Sequence, residues 1–371
     1  MEPKHFNMLA IAAVVSLVAA GVVHGAYNNW STEVMSGRKL LPSLDKTATK
    51  VGGIALQRGK TVLTLVRKDK GWVLQERGGY PVDQAKISQL LVDLASAEIV
   101  EPKTKVAERY ALLELEDPAK DDAKSTLVRM SDAKGKAIAG VVLGKRKIGA
   151  FGQGKAGTYV RLPGDPQTWL TNANVRATVE IYDWVDPVFF RMDPSKVVSM
   201  KFELPGGPAV SVVADAAKKG DFKLAGLPDG LKVKDGLAVS NIVTSLKTLE
   251  LLDVRKLEKP ATGKDVTPAV LETATGMKLD IRLRKEKTDR WISIRVAAPG
   301  SNAEAAKAMQ QKVDGWEFKV ADWRVRQTFK EAAELFERIK PEPQPATKAP
   351  PETPTKEPDD GRTPVMPQLP K

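Results

Sequence analysis

A glycine-rich stretch at residues 149–157, GAFGQGKAG, has the residue types and spacing of a phosphate-binding loop. Three of its glycines are spaced as Gly-x-Gly-x-x-Gly, the pattern of dinucleotide-binding turns, and Gly149, Gly154 and Lys155 nearly complete a P-loop. The last P-loop position should carry a Ser or Thr hydroxyl that binds magnesium, and here it is Ala156. The elements on either side of the stretch decide whether it could hold a nucleotide.

The segments that flank the glycines both have the composition of strands. VVLGKRK precedes them, and TYVRL, which is rich in β-branched and aromatic residues, follows them. Both nucleotide motifs need a helix after the glycines, because the helix N-terminus supplies the N–H groups and the dipole that hold phosphate. The sequence therefore predicts a flexible hairpin loop that binds no nucleotide or other cofactor.

Two further patterns could in principle serve hydrolysis. Ser-x-x-Lys, which marks a nucleophile in some envelope enzymes, occurs at Ser43 with Lys46 and at Ser131 with Lys134. Their companion Ser-Asp-Asn and Lys-Thr-Gly signatures are absent, and such pairs arise by chance in a lysine-rich chain. Neither pair is therefore assigned a catalytic role.

The second pattern is a group of carboxylates that could act in pairs on a glycosidic bond. Its members are Glu114, Glu116, Asp117, Asp121 and Asp122. They lie in a polar connection beside Pro118 and Lys120, which is typical of a solvated loop. The sequence thus predicts no catalytic residue here.

Composition removes much of known enzyme chemistry. The 371-residue chain has no cysteine, which excludes disulfides, thiolate metal sites and Cys nucleophiles. Its two histidines, His5 and His24, flank the first apolar run, so the folded part can contain no Ser-His-Asp triad or His-rich metal site.

The net charge of +12 predicts a solvated basic surface, with an anionic lipid or nucleic acid as the alternative partner. The few aromatic residues are not interleaved with a basic stripe, which argues against nucleic acid.

The N-terminus carries an uncharged apolar run, MLAIAAVVSLVAAGVV, at residues 8–23. The run is shorter than the ~20 residues that span a bilayer, but flanking residues extend it, and Tyr27 and Trp30 follow where an interfacial aromatic belt would lie. The alternative is a cleaved signal peptide with Val18-Ala19-Ala20 as its processing site. Either interpretation places the rest of the chain outside the cytoplasm.

The C-terminal residues 341–371 are rich in Pro, Lys, Glu and Thr and predict a disordered tail.

An internal repeat organises the rest of the chain. VDQAKISQLLVDLASAEIVE at residues 82–101 aligns with KDGLAVSNIVTSLKTLELLD at residues 234–253. Apolar residues recur at helical spacing in both segments, so both predict amphipathic helices, with Asp83 aligned on Asp235 and Leu94 on Leu246. Three short strands precede each helix, and Trp72 and Phe222 hold equivalent places in the third.

The segments after each helix match more loosely. A short helical piece is predicted around residues 106–113, and a second at residues 268–275, where Pro268 would begin a helix and Gly276 would end it. Strands then follow as STLVRM, AIAGVVLG and TYVRL in the first copy and as MKLDIRLR, WISIRV and WEFKV in the second. A final helix is predicted at residues 328–339.

The order of these motifs resembles a known bacterial family. GWVLQERGGYPVDQAKISQLLVDLASAEIVEPKT, ERYALLELEDP, VVLGKR and GTYVRLPG together look like the domain-of-unknown-function family numbered 4340. The match extends over roughly residues 30–340 and is most specific at 51–170. The resemblance implies an N-terminal membrane anchor and, for some members, an auxiliary role beside an ABC-type transport system related to gliding-motility transporters. It implies no catalytic residues, and it departs at Glu114, where such sequences usually have Gly.

These observations predict an α+β protein of two tandem similar lobes, each a mainly antiparallel sheet of about six short strands packed with a helix. The expected divisions are an anchor or signal peptide at 1–30, lobes at 31–186 and 187–340, and a tail at 341–371. We expect a single-pass inner-membrane protein with its bulk in the periplasm, serving without enzymatic activity, catalytic residues, cofactor or metal as a scaffold or auxiliary component for an envelope protein partner. The alternatives are a binding module for an anionic envelope polymer or lipid, and an unrecognised envelope hydrolase.

Overall fold

The structure, a computed structural model, describes residues 37–152, 154–203, 209–218, 220–227, 229–297, 303–328 and 332–339. The predicted anchor and the predicted tail lie outside these residues. Within the described part of the chain, no helix is long and apolar enough to cross a membrane.

The first half of the described chain forms one large antiparallel sheet. Its strands are β1 (Arg38–Lys39), β2 (Val51–Arg58), β3 (Thr61–Lys68), β4 (Gly71–Leu74), β5 (Tyr80–Pro81), β6 (Glu98–Pro102), β7 (Thr126–Asp132), β8 (Ala137–Lys147), β9 (Gly157–Arg161) and β10 (Thr168–Thr171). Their order across the sheet is β1-β6-β10-β9-β8-β7-β2-β3-β4-β5. Alternate residues of the central strands are apolar and buried, as Ile54 and Leu56 are in β2, so one face of the sheet packs on the core.

Helices cover this sheet and connect its strands. They are α1 (Pro42–Thr47) and α2 (Gln84–Ser96), with 3₁₀ helices at Ala48–Lys50, Gln75–Arg77, Ala107–Leu113 and Ile181–Asp183. Helix α2 begins after Asp83, whose carboxylate accepts the N–H of Ala85 at 2.9 Å and so satisfies a donor at the helix start. Its residues Ile87, Leu90 and Leu94 are buried, which confirms the amphipathic face predicted from their spacing.

The second half forms a second antiparallel sheet and two small strand pairs. Its strands are β11 (Val188–Arg191), β12 (Val197–Glu203), β13 (Ala209–Ala214), β14 (Phe222–Ala225), β15 (Leu231–Val233), β16 (Thr248–Glu250), β17 (Asp253–Lys256), β18 (Val266–Thr273), β19 (Lys278–Glu286), β20 (Asp289–Ala297), β21 (Trp316–Val320) and β22 (Phe336–Arg338). Its helices are α3 (Gly236–Thr244), α4 (Ala303–Val313), α5 (Asp322–Val325) and α6 (Ala332–Leu335), with 3₁₀ helices at Pro194–Lys196 and Ser245–Lys247. The main sheet has the order β14-β13-β12-β18-β19-β20-β21-β17, and β11-β16 and β15-β22 are separate pairs.

The two main sheets have the same connectivity. The order β4-β3-β2-β7-β8-β9-β10-β6 in the first becomes β14-β13-β12-β18-β19-β20-β21-β17 in the second when strands are matched along the chain. The N-termini of α2 and α3 match as well. The carboxylate of Asp235 accepts the N–H of Leu237 at 2.9 Å, just as Asp83 accepts that of Ala85. Each sheet has more strands than the six expected, since several are too short to leave a periodic pattern.

The predicted helix at residues 268–275 is wrong. This segment belongs to β18, in which Ala269, Leu271 and Thr273 are buried and alternate with more exposed residues, the period of a strand. Pro268 fits because pairing with β12 ends at Ala269, so the missing N–H leaves that ladder intact. Gly276, at φ +78°, lies in the turn to β19 and does not end a helix. The second copy therefore contains one strand before MKLDIRLR that the sequence alignment passed over.

The predicted final helix at residues 328–339 is largely wrong. In its described part, only Ala332–Leu335 is helical, and Phe336–Arg338 is a strand that pairs antiparallel with Leu231–Val233. Phe336 is buried in the core although it is distant in sequence from its partner strand. A tertiary pairing thus overrides the local helical pattern.

Most buried apolar side chains of both halves belong to one continuous cluster, and Leu115, Leu127 and Val142 form a small separate one. At the junction, the ring of Tyr80 in β5 packs edge-on against Trp316 at 5.0 Å and Phe318 at 6.0 Å, both in β21. Beside it, Arg77 forms a two-pronged ion pair with Asp253, at 2.6 Å (Nε to Oδ1) and 3.2 Å (Nη2 to Oδ2). The two sheets therefore share a core, although the sequence predicted only that each helix packs on its own sheet.

Candidate functional site

The glycine-rich stretch is the hairpin connection between β8 and β9. Gly149, Gly152 and Gly154 have positive φ angles of 71°, 97° and 76°, and Lys155 is exposed to solvent. Gly157 begins β9, where a Cβ would lie only 2.5 Å from the carbonyl oxygen of Thr171. A strand follows the glycines, so the prediction of a hairpin loop is confirmed and the helix N-terminus of a nucleotide site is absent from this described segment.

In each Ser-x-x-Lys pair, one member makes a hydrogen bond that supports the fold. Ser43 lies on the exposed side of α1 and donates its Oγ hydrogen to the carbonyl of Ile138 at 3.4 Å, and Lys46 is exposed on the same short helix. Ser131 is in β7, and Lys134 lies in the following turn, where its N–H is bound by the carboxylate of Asp132 at 2.9 Å. These bonds hold a helix on the sheet and close a turn.

The acidic residues of the 114–122 connection hold that loop together. Glu116 Oε1 accepts the N–H groups of Lys124 and Ser125, the latter at 3.0 Å, while its Oε2 is buried without a partner in the described structure. Asp121 pairs with exposed Lys60 at 2.7 Å. The structure thus directs these carboxylates to separate loop contacts, and it places Glu114 in the left-handed conformation at φ +55°.

The most tightly bound charged group is a carboxylate that the sequence did not single out. Glu317 in β21 is 1% exposed, and it accepts hydrogen bonds from Arg255 Nε at 2.8 Å and Arg284 Nε at 3.0 Å. Arg255 also donates to Glu286 at 2.8 Å and lies 4.0 Å above the ring of Trp291. Four neighbouring strands of the second sheet contribute these side chains, so only the folded sheet brings them together.

The electrostatics of this cluster are those of a closed ion-pair network. The hydrogen bond and the charge of Arg255 hold the pKa of Glu286 below its usual value. Partial burial opposes ionisation of Arg255, but its hydrogen bonds to Glu286 and Glu317 outweigh this and raise its pKa. Each oxygen of Glu317 accepts a hydrogen bond from a guanidinium group. The arrangement cross-links strands.

A cavity of about 350 Å³ lies between α2 and the segment that leads to the second half. Two of its charged side chains are engaged: Lys86 Nζ donates to the carbonyls of Tyr182 at 3.3 Å and Val185 at 2.8 Å, and Asp183 accepts the Thr178 hydroxyl at 2.5 Å. No group of His, Cys, Asp or Glu residues within the described ranges could hold a metal ion. Lys86 thus fastens the connecting segment to the helix, and Asp183 braces that segment from within.

Comparison with known proteins identifies a family. A family model described as "Domain of unknown function (DUF4340)" matches residues 72–272, more than half of the 371-residue chain. The match begins at Trp72 in β4 and ends in β18, so it includes both α2 and α3. Neither a curated protein nor a solved structure matches the chain significantly.

Proposed function

The chain belongs to the DUF4340 family, and we propose that it is a non-enzymatic, membrane-anchored protein with its folded part in the periplasm. There it serves as a scaffold or auxiliary component of an envelope complex. The resemblance noted from the sequence favours an ABC-type transport system as that complex. In this proposal the apolar run at residues 8–23 is the anchor.

The observation that carries the proposal is the union of two sheets of like connectivity into one unit. A shared apolar core and the Arg77–Asp253 ion pair join them, so the surfaces of both halves keep a fixed relation to each other. A fixed relation between distant surfaces is what a scaffold needs to align partners. The buried carboxylate of Glu317 in the second half binds two arginines and so holds neighbouring strands together.

Exposed apolar side chains supply contact points for a protein partner. Leu112, on the 3₁₀ helix that crosses the first sheet, is 73% exposed, and Trp323 in α5 is 65% exposed. Tryptophan is among the residue types that contribute most of the binding energy at protein interfaces, and an exposed leucine adds apolar contact area. We therefore expect the partner to contact these positions.

Fractionation tests the location. The full chain should sediment with inner membranes, resist extraction by high salt, and be digested by protease added to spheroplasts. Recovery in the cytoplasmic fraction would contradict the proposal, and a soluble periplasmic form that begins near Gly21 would replace the anchor by a cleaved signal.

Complementation tests the non-enzymatic role. In a strain that lacks the protein, Glu116→Gln should restore the phenotype as fully as the wild type. Leu112→Asp and Trp323→Asp should fail to restore it while retaining wild-type thermal stability, since both positions are exposed. Loss of function in Glu116→Gln at normal stability would favour the hydrolase alternative.

A further inference from the structure

The end of β8 and its connection to β9 combine cations with an exposed apolar side chain. Lys145, Lys147 and Lys155 are exposed, and Ile148 is 82% exposed, the most open large apolar side chain among the described residues. No Asp or Glu occurs between residues 133 and 164, so nothing nearby in sequence offsets these charges. We call these four residues the basic hairpin loop.

The second half of the chain shows that the fold does not need this loop. By strand order, β8 and β9 correspond to β19 and β20, which are joined by only residues 287 and 288. That short turn is flanked by Glu286 and Asp289, which pair with Arg255 and Lys319. The first half instead has nine connecting residues at the same place, 148–156, of which the structure describes all but one. The longer loop, which has no Asp or Glu of its own, is thus an addition to a hairpin that closes without it.

The basic hairpin loop also lies within reach of the N-terminal apolar run. Arg38, near the start of the described chain, is opposite Ile99, which continues across the sheet through Thr171 and Thr158 to Arg146 at the base of the loop. Four strand spacings separate the two ends of this row, about 19 Å. The segment from residue 23 to residue 37 can span at most about 50 Å. A run inserted in a bilayer therefore permits the loop to touch the same surface, and this step alone rests on the anchor proposed above.

We propose that the basic hairpin loop docks on the surface of an anionic lipid bilayer. The three ammonium groups attract lipid phosphates, and Ile148 enters the boundary between headgroups and acyl chains, where an exposed apolar side chain is removed from water. A nucleic acid or a soluble polyanion would satisfy the lysines but would leave Ile148 in water. An anionic bilayer accepts both chemistries.

The absence of native cysteine permits a direct test. A single Ile148→Cys variant of the full chain is labelled with an environment-sensitive fluorophore and reconstituted into vesicles of phosphatidylcholine, with or without phosphatidylglycerol as about a third of the lipid. We expect a blue-shifted emission and quenching by lipid-borne nitroxides only in the anionic vesicles. Raising the salt concentration should reverse both changes because the attraction is screened.

Charge variants identify the residues responsible. Each lysine near an anionic surface strengthens attraction about fivefold, so Lys145→Gln, Lys147→Gln and Lys155→Gln combined should lower the ratio of lipid-bound to water-exposed label by roughly 100-fold. The matched control replaces Lys68, Lys70 and Lys134, which are exposed at the end of β3 and in the turns after β3 and β7, and should leave the ratio unchanged. A label at Leu112→Cys, also on an exposed apolar position, should stay in water.

Three outcomes would overturn the proposal. They are a label at position 148 that reports water in anionic vesicles, an equal effect of both lysine triples, and a shift that soluble DNA or heparin produces but vesicles do not. The probe is read on vesicle-bound protein and is independent of where the protein fractionates in cells. Failure of the loop to dock therefore leaves the proposed anchor and scaffold intact, and failure of the anchor leaves the loop measurement valid.

Discussion

At the residue scale, the backbone conformation of Glu114 gives a physical reason for the glycine that the resemblance implies at this position. Glu114 ends the 3₁₀ helix Ala107–Leu113 with φ +55° and ψ 42°, a left-handed conformation that glycine adopts readily and that strains other residues. The turn must be tight because Leu115, which follows, is fully buried. It also touches the sheet, since a Cβ on Gly144 would lie 2.3 Å from the carbonyl oxygen of Leu113.

We predict that Glu114→Gly stabilises the protein by about 1 kcal/mol, the relief of strain exceeding the entropy that glycine adds to the unfolded chain. Urea unfolding of the two proteins measures the difference. Glu108→Gly, in the same 3₁₀ helix but without a positive φ, is the control and should be neutral or destabilising. A less stable Glu114→Gly variant would contradict this reading of the turn.

The exposed side chain of Lys155 leads to a second prediction at this scale. Lys155→Ala should change the free energy of unfolding by less than about 0.5 kcal/mol, because an exposed lysine in a hairpin loop makes few contacts. Neither the wild type nor the variant should bind ATP in calorimetry. ATP binding that the substitution abolishes would show that the loop holds phosphate after all.

At the element scale, helices α2 and α3 occupy equivalent places in the two halves of the chain. Each helix begins after an Asp that caps it, and each buries a leucine completely, Leu94 in the first copy and Leu246 in the 3₁₀ turn that follows α3. Trp72 and Phe222, 7% and 6% exposed, occupy equivalent strands beneath. The same arrangement of cap, apolar face and strand thus occurs twice.

We predict that Leu94→Ala and Leu246→Ala each lower the free energy of unfolding by about 2–5 kcal/mol through lost burial and the cavity left behind. Because the apolar cores are continuous, each substitution should shift a single unfolding transition monitored by fluorescence and circular dichroism. Val92→Ala in α2 and Leu237→Ala in α3, at 60% and 71% exposure, are the matched controls and should have little effect. Two separate transitions would show that the halves unfold independently.

At the scale of the whole molecule, the junction between the sheets decides how the chain behaves. Tyr80 in the first half is enclosed by Trp316 and Phe318 of the second. Burial, together with the negative charge of Asp186, raises the pKa of Tyr80 to about 12. The pKa of Tyr80 should therefore return towards its ordinary value if the junction opens.

This shift makes stability depend on pH in the alkaline range. Below the ordinary tyrosine pKa of 10.0, both folded and unfolded states keep the proton, so the junction contributes fully. Between pH 10 and 12 only the unfolded state ionises, and roughly 2–3 kcal/mol of stability should be lost as the pH rises through the folded pKa. Tyr80→Phe keeps the ring contacts and should remove this part of the decline. Parallel curves of stability against pH for the two proteins would contradict the prediction.

The sequence by itself determined the features that depend on neighbours along the chain. Capping residues, amphipathic faces and hairpin turns are set by residues a few positions apart, so both helices, the repeat and the loop character of residues 149–157 were predictable. Only the tertiary structure decided that residues 266–273 and 336–338 are strands, because their pairing partners outweigh local propensity. It also decided the shared core and the pairing of Arg77 with Asp253, 176 positions apart. The binding of Glu317 by Arg255 and Arg284 was likewise decided by the tertiary structure. Contacts across a sheet depend on the order of its strands, and the periodicity within one strand does not encode that order.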